Sequence, residues 1–152
     1  MDQRPLKSLA RSMVIGLAVV IALAGFNIGI PKGRSAGSNW RFAATHPTIL
    51  FHIICATLVL VGAVALLVKS WRSHRRSWTV LSIAGLVFLL LAFVYGEQYI
   101  MTLQESALTG MSLGWLGAIV TYCAGWYLGR KGERQYEHAL KSDSSGKVTR
   151  HE

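Results

Sequence analysis

His52 and Glu97 are the side chains best placed to do chemistry in an otherwise apolar chain. His52 lies within an uncharged stretch, and an ionisable group in such a setting is costly enough to be a functional candidate by default. The plainer reading is a neutral imidazole held by a structural hydrogen bond, its polar tip reaching an aqueous boundary. Glu97 sits with Tyr95, Gln98 and Tyr99 at the end of another apolar stretch. A carboxylate beside a histidine can shuttle a proton or bind a cation; otherwise it is a solvated helix end, paired with a cation such as Arg41. Asn27 completes the set at similar depth on a third stretch, where an amide can hydrogen-bond a neighbouring helix for roughly 1 kcal/mol. Asn27, His52 and Glu97 are therefore the candidate ligand-binding residues.

His46 and His52 are the candidate metal ligands, but six helical residues turn the second by about 240° from the first, so they do not share a face. Paired ligands on one helix favour i,i+4 spacing, as in H-E-x-x-H. Bis-histidine haem ligation wants a second histidine on a facing apolar stretch, and the other stretches contain none. A haem b would need a single His or an unusual second ligand, and no cofactor is expected. Walker-type loops, G-x-G-x-x-G, C-x-x-C and H-E-x-x-H are absent from the sequence.

The elements that would position these residues are evident from composition. Of the 152 residues 52% are hydrophobic and 15% charged, an imbalance unusual for a soluble domain. Residues 13–30, 48–68, 78–95 and 107–128 contain no Asp, Glu, Lys or Arg. As helices these runs span about 27–33 Å, close to the hydrocarbon thickness of a bilayer; the alternation of a barrel strand is missing. The sequence predicts an all-α, polytopic membrane protein, an up-and-down bundle of four transmembrane helices over 1–129. A polar, partly disordered cytoplasmic tail follows over 130–152. The first run is longer than a signal-peptide core and lacks a clear cleavage site, so it reads as a retained helix. Residues 31–46 read as a long Gly- and Ser-rich outer loop, 69–77 as a basic turn and 96–106 as a second outer loop.

The net charge of +9 could suggest nucleic acid, but its distribution indicates topology instead. All Lys and Arg other than Lys32, Arg34 and Arg41 fall on one side of an even-numbered bundle. Positive loops resist translocation, which puts both termini in the cytoplasm of a multi-pass cell-membrane protein and leaves no nucleic-acid partner. Trp71, Trp78, Trp126 and Tyr127 would form the inner aromatic belt, and Trp40, Tyr95 and Tyr99 the outer one. Cys55 and Cys123 fall at different depths, about 10 and 24 Å from the outer ends of their helices. That is too far apart for a bridge.

Small residues recur at four-residue spacing: Gly25 and Gly29 on the first run, and Gly117, Thr121, Gly125 and Gly129 on the fourth. Such rows let helix backbones approach closely in lipid. They serve packing within the bundle, or an interface with a second copy or a partner membrane subunit.

The His46-Pro47 start of the second run, His52 beyond it, and Tyr95-Gly96-Glu97-Gln98 followed by Gln104-Glu105-Ser106 resemble small, uncharacterised four-helix bacterial integral membrane proteins. The resemblance implies a fold and no activity. Some proteins of broadly similar shape are b-type cytochromes with histidines on facing helices, a pattern from which this sequence departs. Because packing motifs outnumber chemical ones, the leading expectation is a non-enzymatic accessory or assembly subunit embedded in the lipid bilayer. A redox or small-ligand-binding membrane protein and a small oligomeric transporter are the alternatives.

Overall fold

The computed structural model describes the backbone of residues 4–25, 30–31, 35–74 and 76–148, and side chains within 6–24, 30–31, 35–74, 76–128 and at 130. Five helices make up the described chain: α1 (Arg4–Gly25), α2 (Ala36–Thr45), α3 (Pro47–Arg72), α4 (Arg76–Thr102) and α5 (Glu105–Val148). No strand occurs among the described residues. Within α1, α3, α4 and α5, the spans Leu6–Ala24, Pro47–Arg72, Arg76–Thr102 and Glu105–Leu128 are long and apolar enough to cross a membrane.

Each long helix buries one narrow stripe. On α1 it is Leu6, Ala10, Met13, Leu17 and Val20; on α3, Ala56, Val59, Ala63, Leu66 and Ser70; on α4, Trp78, Ser82, Gly85, Leu89 and Ala92. The alternating three- and four-residue steps keep a seam on one face over many turns. The seams close in a ring, with α1 against α3 and α5, and α4 against α3 and, most extensively, α5. The remaining faces stay apolar and uncovered: Leu58, Val61, Val94, Leu113 and Val120 are each more than 60% exposed.

Several boundaries depart from the expected ones. Helix α1 begins at Arg4, so Arg4, Lys7 and Arg11 ride on its first turns instead of preceding it. The outer loop expected over 31–46 contains α2, whose N-cap Ser35 accepts a hydrogen bond from the Ser38 N–H through its side chain. The loop expected over 96–106 shrinks to Leu103 and Gln104, because α4 runs to Thr102 and ends in Leu103 with a left-handed φ of 56°. The basic turn is shorter too, with Ser73 and His74 (φ 53°) closing α3. Helix α5 runs on past Leu128 to Val148. Trp78, expected in the inner aromatic belt, is buried in the α4 stripe. Trp71 and Tyr127 of the same expected belt are exposed, and Arg130 stacks on Trp126 with its guanidinium carbon 4.4 Å from the ring centroid.

Candidate functional site

One end of the helix ring encloses a cavity of about 550 Å³. Its walls come from the C-terminal end of α1, α2, the N-terminal half of α3, the C-terminal half of α4 and the start of α5. Pro47 opens α3 at the first helical position, where its missing N–H costs nothing, and this sets His52 about 8 Å along the axis. From Thr48 to Leu60 the α3 wall runs about 18 Å. Polarity is graded along it. Trp40, Thr48, His52, Glu97 and Tyr99 belong to the outer part, whereas Ala56, Leu60, Leu90 and Trp115 form an apolar floor.

The cavity thus gathers two of the three candidate ligand-binding residues, His52 from α3 and Glu97 from α4. Asn27 lies outside the described residues, as does Gly29. Glu97 is exposed at the rim, and His52 is half-buried in the wall. The imidazole approaches the backbone of Val20 on α1, while its Nδ1 is buried with no hydrogen-bond partner among the described residues. His52 therefore forms part of the cavity wall, with its Nδ1 shut off from solvent. His46 is not part of these walls; it caps the α2–α3 junction with its ring stacked on Phe42 at 4.0 Å between centroids. Among the described residues no three His, Cys, Asp or Glu side chains gather into a metal-binding group.

Two contributions were not foreseen from the sequence. Asn39 is buried on α2, where its Nδ2 donates to the Ile100 carbonyl of α4 at 2.9 Å. That bond ties α2 to the cavity end of α4 and holds Trp40, the next residue, in the wall. The other is the lateral opening. Leu90 and Val94 line the cavity yet are 47% and 61% exposed, so the wall is open at the apolar side of the molecule.

The glycine row on α5 faces inward. A Cβ at Gly117 would meet the Phe88 ring at 2.5 Å, and one at Gly114 would meet the Ala92 amide nitrogen at 2.8 Å and the Phe88 carbonyl at 2.9 Å. A Cβ at Gly125 would touch Trp78 at 3.4 Å, while Thr121 donates its hydroxyl to the Gly117 carbonyl at 2.8 Å. Gly25 and Gly129 are helical, and their surroundings lie outside what is described. Both cysteines are free and half-buried.

No protein-family model, curated protein or solved structure matches this chain. Function must therefore be argued from the cavity itself.

Proposed function

We propose that the chain is an integral membrane protein of four spans, with consecutive spans running in opposite directions and both termini cytoplasmic. It holds a small apolar or amphiphilic molecule in the cavity at its outer end. The observation that carries this reading is the cavity of about 550 Å³, polar at one end and apolar at the other, within the size range of small-molecule sites. Membrane insertion is supported by the uncovered apolar faces, which far exceed what a soluble monomer exposes. The basic residues of the α3–α4 turn and of α5 beyond Leu128 belong to the opposite end from the cavity, which supports reading that end as cytoplasmic.

The accessory-subunit expectation depended on a glycine-lined face offered to a partner. Of that row, Gly117 and Gly125 lie against α4 of the same chain, which favours ligand binding over the accessory reading. Haem b is the lesser reading, because His52 is the one histidine among the described residues that line the cavity. A Soret band that shifts on reduction and is lost in His52→Ala would promote it.

Occupancy can be read from Trp40 and Trp115, which both line the cavity. A brominated medium-chain alcohol titrated into the purified chain should quench their fluorescence saturably. Ile53→Phe, which places a larger side chain in the wall without adding a tryptophan, should reduce the response to the shallow linear quenching of simple partitioning. Linear quenching in the wild-type chain would contradict the reading.

A further inference from the structure

The electrostatics of the cavity select among amphiphiles. No Lys or Arg lines it among the described residues, and Glu97 is the one carboxylate that does. Among the described residues the outer part therefore holds an acidic side chain and no Lys or Arg. An anionic head group would be repelled there, and the phosphate of a phospholipid would find no partner.

Aromatic faces reinforce the sign. Trp40 on α2 and Tyr99 on α4 belong to the same outer part as Glu97, and the Asn39–Ile100 bond fixes α2 against the end of α4 that bears Tyr99. Trp and Tyr rings attract a cation over their faces, as in the aromatic cages that hold quaternary ammonium groups. Below them the apolar wall of α3 continues toward Leu60, and Trp115 and Leu90 receive an apolar body. The exposed Leu90 and Val94 open the wall on the lipid-facing side, which gives a membrane-dissolved molecule a way in that crosses no polar barrier.

From this juxtaposition of Glu97, Trp40 and Tyr99 over an apolar cavity open at its side, we propose that the natural ligand is a lipophilic cation. It is a permanently charged or protonated amine, or an equivalent onium group, on an apolar body taken up from the membrane. The proposal rests on the ligand-binding reading above and specifies the class of ligand.

The test uses two ions of the same shape and opposite charge, tetraphenylphosphonium and tetraphenylborate, titrated into the full chain in uncharged maltoside micelles with tryptophan fluorescence as readout. The cation should bind saturably and the anion at least tenfold more weakly. Glu97→Gln should weaken the cation about fivefold, as suits an exposed charge, and Glu97→Lys should invert the preference. Phosphatidylethanolamine added to the micelles should leave the cation's affinity unchanged; competition would replace the proposal with a lipid head group. Equal binding of both ions, abolished by Ile53→Phe, would overturn the cation while leaving the cavity as a binding site. Saturable binding of neither ion would overturn both. Glu97 is exposed, so its variants are expected to fold as the wild type does, checked by unchanged helicity.

Discussion

The two faces of α4 show how the same helix can close one space and leave another open. On one face Gly85, Phe88, Ala92 and Tyr95 meet α5, where each glycine admits a bulky or backbone group from across the seam. Tyr122 sits over Gly85, Phe88 over Gly117, Tyr95 over Gly110, and the α4 backbone over Gly114. On the other face Leu90, Phe93, Val94, Glu97 and Ile100 line the cavity, where a Cβ at Gly96, the one glycine of the α4 wall, would meet Met111 of α5 no closer than 3.4 Å, looser than those seam contacts. Close packing in an apolar solvent depends on van der Waals contact rather than on water. Looser pairing therefore leaves space, and space with a graded polarity is a site.

The largest expected effect comes from breaking the closed face. Gly114→Ala forces a Cβ against the Ala92 amide nitrogen and the Phe88 carbonyl. Backbone cannot give way as a side-chain tip can, so unfolding stability in bicelles should fall by about 3 kcal/mol. Next is the tie between α2 and the cavity end. Asn39→Ala removes the hydrogen bond to Ile100 and should cost about 1 kcal/mol. It should also speed hydrogen exchange across α2 and red-shift Trp40 emission, while α5 amides stay unchanged.

The same glycine-to-alanine change has the opposite outcome at the cavity. At Gly96 a Cβ would meet only the Met111 side chain, its sulfur at 3.4 Å, and a thioether moves readily. Gly96→Ala should gain up to about 1 kcal/mol from helix propensity, visible in the same unfolding assay. A loss as large as that at Gly114 would erase the distinction between the two faces. The smallest effect is expected at Tyr122, whose hydroxyl is buried without a hydrogen-bond partner among the described residues. Removing an unsatisfied group sacrifices no bond, so Tyr122→Phe should change stability by no more than about 0.5 kcal/mol.

The long helices were legible because lipid-scale apolar runs leave no other reading of 48–68 or 78–95. The ends were less so. Gly96, Glu97 and Gln98 look like loop residues, yet α4 continues through them, because polar residues at the end of a span need not end the helix. Helix α2 is mildly polar and hidden among Gly and Ser, although Ser35 as N-cap and the buried pair Asn39 and Ala43 were signals within it. Depth along a helix follows from residue count, so His52 and Glu97 could be placed together. Rotation about the helix axis does not follow, and that is why the inward set of α5 glycines and the roles of Trp40 and Tyr99 as cavity wall needed the structure.

The central claim is that the cavity lies at the outer, extracellular end of the bundle, and one labelling experiment tests it most directly. Thr48 lines the cavity on α3 and can be made the single cysteine by replacing Cys55 and Cys123. In intact cells a membrane-impermeant maleimide should label Thr48→Cys, and adding Ile53→Trp should suppress the labelling. Labelling only after permeabilisation, or labelling indifferent to the filled wall, would contradict the account.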